Sequence, residues 1–92
     1  MPKVVITAQV ENSVKWEAGF RTHGDLFRSQ SITIPIDFGF IDGNHVAICL
    51  EPADLAAFMK VMDSPATAEA MAFDGVKRET VKMFVLDRDF KV

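Results

Sequence analysis

The chain has 92 residues, 49% hydrophobic and 25% charged, with a formal net charge of −3. That length suits a single domain spanning 1–92, since a domain typically takes ~100–150 residues, and the apolar content argues against disorder. The acidic balance argues against a nucleic-acid partner, because the longest basic grouping, Lys77-Arg78, runs straight into Glu79.

A single cysteine, Cys49, rules out an internal disulfide framework. It sits in "VAICLE" and is expected to act as a small buried hydrophobe. The start, "MPKVVITAQV", has the character of neither a signal peptide nor a membrane span. The chain is therefore expected to be a complete cytoplasmic protein with no membrane partner.

Residues 3–10, "KVVITAQV", alternate and are β-branched, which predicts a strand with Val4, Ile6, Ala8 and Val10 on one face. "ENSV" supplies capping chemistry at Asn12 or Ser13. A helix is predicted from there to about Gln30. At about 100° per residue, Trp16, Phe20, His23 and Phe27 then form one stripe. Gly19 and Gly24 inside that helix suggest close packing or a kink. Residues 31–40, "SITIPIDFGF", alternate again and predict a strand with Ile32, Ile34, Ile36, Phe38 and Phe40 on one face. Pro35 has no ladder donor and places this strand at a sheet edge. Asp42-Gly43 is a hairpin signal. "HVAICLE" returns with Val46, Ile48 and Leu50 inward.

"EPADLAAFMKVMD" predicts a second helix, with Pro52 in its first turn and Leu55, Phe58, Met59 and Met62 as its stripe. "SPATAEAMAFDGV" predicts a further helical piece, capped by Ser64, begun by Pro65 and stopped by Gly75. "TVKMFVLD", 80–87, is the last strand.

Strand, helix, strand, strand, helix in two pieces, strand is the split βαβ order of an α+β, ferredoxin-like fold. Handedness and the edge proline give a four-stranded antiparallel sheet of order 4-1-3-2, with the helices on one face. The other face, carrying Val5, Thr33, Pro35, Ala47, Cys49, Phe84 and Leu86, is too apolar to stay wet. A symmetric, face-to-face homodimer would cover it.

Stacking aromatics on the central strands, a CxxC pair, a GxSxG elbow and a phosphate loop are not found in the sequence. His23, His45 and Cys49 lack zinc spacing, so neither a metal nor a cofactor is expected. Asp54, Asp63 and Asp74 read as caps or solvated groups near helix ends. Arg21 and Arg28 read as surface. Asp37 reads as a structural or interface carboxylate, and His45 as exposed.

His23 has two readings. It is a core histidine bonded to backbone or water, or it is the polar group of a pocket lined by Trp16, Phe20, Phe27, Phe38, Phe40, Phe58, Met59 and Met62. One titratable group in an apolar pocket is a common design for small-ligand sites.

Trp16, Phe20, His23 and Arg28, then "SPATAEAM", Gly75-Val76 and the closing "MFVLD", resemble the dimeric α/β-barrel superfamily. That group contains antibiotic-biosynthesis-monooxygenase-like and stress-responsive proteins and polyketide cyclases. The resemblance implies a ferredoxin-like protomer that dimerises through its sheet, with an apolar cleft between sheet and helices. Monooxygenase and haem-degrading members carry a tryptophan just after the third strand and a histidine in the next helix. "LEPADLAAFMKVMDSP" has neither, which counts against cofactor-free oxygenation and more so against haem breakdown. Cyclase members use a pocket histidine as acid or base. His23 suits that role, although tyrosine, a frequent helper there, is absent from the chain.

Three functional expectations result. The first is a homodimer binding an apolar small molecule, such as a fatty-acid-like or polyketide-like carbonyl compound. The second is a cofactor-free cyclase or monooxygenase-like enzyme with His23 as general acid/base. The third is a regulatory or scaffolding dimer with a fully packed interior.

Overall fold

A computed structural model describes residues 2–92. Strand β1 (Lys3–Gln9) lies between two neighbours, paired antiparallel with β3 (His45–Leu50) and β4 (Lys82–Leu86). Strand β2 (Asp37–Ile41) pairs only with β3 and forms an edge. The order β2-β3-β1-β4 is the predicted 4-1-3-2 read from the other side. Asp42 (φ 62°) and Gly43 (φ 73°) turn the β2–β3 hairpin in the left-handed region, which Asp-Gly adopts readily.

Residues facing each other across an antiparallel pair share a sheet face. Val4 faces Leu50 and Val85, and Ile6 faces Ile48 and Met83, on the helix-covered side. Phe38 and Phe40 join them through Ile48 and Val46. The buried core has two parts on this side. One gathers Val4, Ile6, Ile32, Leu50 and Phe58, and the other Ala8, Val10, Trp16, Phe20 and Val46. The opposite face carries Val5, Ala47, Cys49, Phe84 and Leu86, with Phe84 and Leu86 about half exposed. Cys49 lies on that face as expected but is only half-buried, not the buried hydrophobe predicted.

Three local predictions need correction. The helix predicted from 13 to 30 is two helices, α1 (Ser13–Phe20) and α2 (Gly24–Ser29), separated at residues 21–23. Asn12 caps α1 by accepting from Lys15 N–H at 3.0 Å. The strand predicted from 31 starts only at Asp37. Ser31 enters the left-handed region (φ 63°), and its hydroxyl donates to the Asp54 carbonyl and accepts from the Asp54 N–H. Ile32 bridges to Pro52. These contacts tie Ser31 and Ile32 to the start of the next helix instead of the sheet, and Pro35 has no N–H to offer a ladder. Thr33 and Pro35 therefore do not join the open sheet face.

Pro52 is not a first-turn residue either. It is buried ahead of helix α3 (Leu55–Met62), whose cap is Asp54, accepting from Ala57 N–H at 3.1 Å. Helix α4 (Pro65–Phe73) follows, with Ser64 as cap and Pro65 opening it as expected. Gly75 (φ 75°) lets the chain leave α4, and one 3₁₀ turn (Arg78–Thr80) leads into β4. No helix among the described residues is long and apolar enough to cross a membrane.

Candidate ligand-binding site

The break between α1 and α2 places His23. It occupies the cap position of α2, yet its side chain makes no capping bond. Its ring turns to the far end of α4, where Nε2 lies 3.0 Å from both Oδ1 and Oδ2 of Asp74. The side chains are 18% and 5% exposed, so this is a largely dehydrated pair. Burial pushes the Asp74 carboxyl above its ordinary value, while the hydrogen bond and charge of His23 pull it partly back down. With Nε2–H donated to the carboxylate, Nδ1 is the ring's free nitrogen. It has no protein partner among the described residues and is not sealed from solvent.

Gly19 makes this approach possible. A Cβ there would collide with Asp74 Oδ1, and it would also meet the Phe73 ring at 3.4 Å. The close-packing role expected for a glycine in the first helix is therefore met at Gly19, whereas Gly24 starts α2.

Beside the pair lies a partly enclosed cavity of about 80 Å³ with an almost wholly apolar lining. Ile6, Ala8, Val46 and Ile48 of β1 and β3 form its floor. Trp16, Phe20, His23 and Phe27 line it from the first crossover, and Met62, Thr67, Met71 and Asp74 from the second. Trp16 and Phe20 stack at 4.6 Å between centroids, and Phe27 meets Phe20 edge-on at 5.2 Å. The predicted stripe thus converges even though its helix is broken.

The remaining predicted lining residues lie elsewhere. Phe58 is fully buried in the other part of the core, and Met59 faces outward on α3. Phe38 and Phe40 support Trp16 edge-on from β2, at 5.7 and 5.9 Å, without lining the cavity. A stripe of large apolar residues shows which side is inward, but not which part of the interior stays unfilled.

Arg21 pairs with Glu17 at 2.8 Å and lies 5.3 Å from the Phe38 ring centroid. Arg28 pairs with Asp25 at the surface. Asp37 is exposed opposite Cys49, and His45 is exposed 3.9 Å from Asp42. No three His, Cys, Asp or Glu side chains come together as a metal site among the described residues.

Among the cavity residues that escaped the sequence reading, Asp74 and Gln30 bring the most chemistry. Asp74 was taken for a cap or a solvated group, and nothing in "AFDGV" shows that a histidine 51 residues earlier meets it. Gln30 was taken only as a helix end, but it is 1% exposed and lines the cavity. Chemically, the site combines an apolar chamber, an imidazole oriented by a buried carboxylate, and a buried amide. An oriented imidazole with a free nitrogen can accept or deliver a proton.

No family model matches this sequence, and no curated protein matches it. Solved structures do match. An antibiotic biosynthesis monooxygenase aligns with a TM-score of 0.69 at 14% identity, over 97% of this chain and 99% of that one. SnoaB, a cofactor-independent oxygenase from Streptomyces nogalater, aligns at 0.71 and 14% identity, over 99% and 95%. A protein of unknown function from Nitrosomonas europaea aligns at 0.63 and 10% identity, over 99% and 93%. The shared feature is the fold. This chain has the ferredoxin-like fold of those antibiotic-biosynthesis-monooxygenase-like structures.

Proposed function

We propose that the protein is a homodimer in which each protomer binds a compact, mostly apolar small molecule between sheet and helices. The observation that carries this reading is the apolar cavity with the His23–Asp74 pair in its wall. Of the residues predicted to bind ligand, Trp16, Phe20, His23, Phe27 and Met62 fit this role by position. A volume of about 80 Å³ is well below the roughly 300–1,000 Å³ of drug-sized sites. It favours a single ring or short branched chain over a long acyl chain or fused polyketide. The exposed Phe84 and Leu86, with Val5, Ala47 and Cys49, support a second copy covering the open sheet face.

Native mass spectrometry of the purified protein tests both halves of the reading. A dimer mass is expected, with a bound small molecule or with thermal shifts in a panel of single-ring and lipid-like compounds. A monomer with no adduct and no shift would end this reading.

The second reading is a cofactor-free enzyme with His23 as general acid/base. The specific observation in its favour is Asp74, which orients the imidazole as the third group of a catalytic triad orients its base. SnoaB is described as a cofactor-independent oxygenase, a precedent for this fold without a cofactor. Once a turnover substrate is found, His23→Ala should abolish turnover while leaving the folded state intact. An unfolded variant would return His23 to a structural role.

A further inference from the structure

Gln30 ends the first crossover, buried against the first turn of α4. Its neighbours determine which way its amide faces. Thr67 Oγ1 donates its proton to the Val61 carbonyl at 2.6 Å, and Ser64 Oγ donates to the same carbonyl at 2.6 Å. With its proton committed, Thr67 Oγ1 can only accept from the Gln30 group 3.5 Å away, so that group is the NH₂. The same NH₂ lies 3.7 Å from Met62 Sδ, another acceptor. The carbonyl oxygen, Oε1, is therefore turned from both and has no partner, although it is fully buried. Buried polar atoms are nearly always satisfied, and one left bare in an apolar surround is unfavourable. Both Gln30 and its partners Thr67 and Met62 line the cavity.

We infer that the cavity selects a ligand with a neutral hydrogen-bond donor, a hydroxyl or N–H on a compact apolar body, and that this donor meets Gln30 Oε1. The inference rests on the small-molecule reading above and specifies the ligand's polar end. A ketone or carboxylate turned to this end would set lone pair against lone pair. An ammonium would lose its hydration in an apolar chamber whose one carboxylate already serves His23. A phenol-like molecule satisfies Oε1 and fills apolar space with its ring.

The test compares phenol, anisole and toluene, three single-ring probes that differ in the donor. Binding is followed by the fluorescence of Trp16, the chain's one tryptophan and part of the cavity wall, and by thermal shift. Water holds phenol more strongly than toluene, so apolar transfer alone would rank toluene first. The expected result is the reverse, with phenol at least about tenfold tighter than either analogue. In Gln30→Leu that preference should disappear through weaker phenol binding, while toluene binding persists. Equal or stronger binding of toluene by the wild type would overturn the inference and leave the cavity reading standing. A phenol preference that survives in a folded Gln30→Leu would overturn it too, because a group other than Oε1 would then be reading the hydroxyl. If none of the three binds while the wider panel yields a ligand, the inference alone falls, and if the panel is empty as well, both readings fall. The wild-type comparison is decisive by itself if the variant does not fold.

Discussion

Both helical crossovers are interrupted, and different forces interrupt them. Between α3 and α4 the break is local. Ser64 accepts from Thr67 N–H at 3.4 Å and donates to the Val61 carbonyl, and Pro65 has neither the N–H nor the space to continue a helix. Between α1 and α2 no side chain caps the new helix. Thr22 donates back to the Gly19 carbonyl at 2.6 Å, and His23 reaches across the interior to Asp74. The second crossover is broken by its own residues, whereas the first is broken around a contact with the other crossover. The break that depends on a distant partner also puts one of its own residues, His23, in the cavity lining, whereas Asp63 and Ser64 at the other break do not line it.

That contrast can be tested most severely at Gly19. Alanine in a helix is ordinarily better than glycine by about 0.5–1 kcal/mol. At Gly19 the added Cβ strikes a carboxylate that is 5% exposed and held by His23, so it has little room to yield. Gly19→Ala should therefore destabilise the protein by about 1–3 kcal/mol, the usual range for overpacking, as read by urea unfolding. Gly24→Ala is the control. Its Cβ meets only the exposed end of the flexible-stemmed Arg28 side chain at 3.3 Å, and stability should stay within about 0.5 kcal/mol. Equal effects at both glycines would remove the close approach as the reason for the first break.

The second crossover should respond less, and only locally. Ser64→Ala removes a cap and is expected to cost about 1 kcal/mol. Ligand affinity should hold unless the loss spreads through Thr67 to Gln30. Measuring unfolding and phenol affinity on the same variant separates these outcomes. A large affinity loss with little destabilisation would mean that the second break also belongs to the site.

The same contrast explains what the sequence makes legible. Caps, hairpin and edge order follow from local chemistry, and Asn12, Asp42-Gly43, Ser64-Pro65 and Gly75 announce them. Period-2 alternation misled at Ile32, Ile34 and Ile36. Their spacing suits a strand, yet Ser31 and Pro52 bind that segment to the start of α3. Trp16, Phe20, Phe27 and Met62 could be recognised as inward-facing from helical period alone. Asp74 and Gln30 could not, because a carboxylate at a helix end and an amide at a helix end look solvated until the partner elements are placed. Their roles depend on contacts across the chain, which no short window contains.

The smallest expected effect is also the most informative about the His23–Asp74 pair. Burial outweighs the histidine at Asp74, so its folded-state carboxyl titrates above the ordinary value of 3.8. Between that value and the raised one, the native state holds a proton that the unfolded state has released. Stability from this group is thus full below 3.8 and is lost as pH rises through the raised value. Asp74→Asn keeps the shape and an acceptor for His23 Nε2–H but cannot ionise. Relative to the variant, the wild type should lose stability as pH climbs through that window, in urea unfolding series at closely spaced pH. A wild type that instead gains on the variant with rising pH would show that the ion pair outweighs burial. With the expected sign, ionising Asp74 costs stability at neutral pH relative to keeping its proton. A buried, unfavourable carboxylate holding an imidazole at a cavity wall is then better explained by what the cavity binds or does than by what keeps the chain folded.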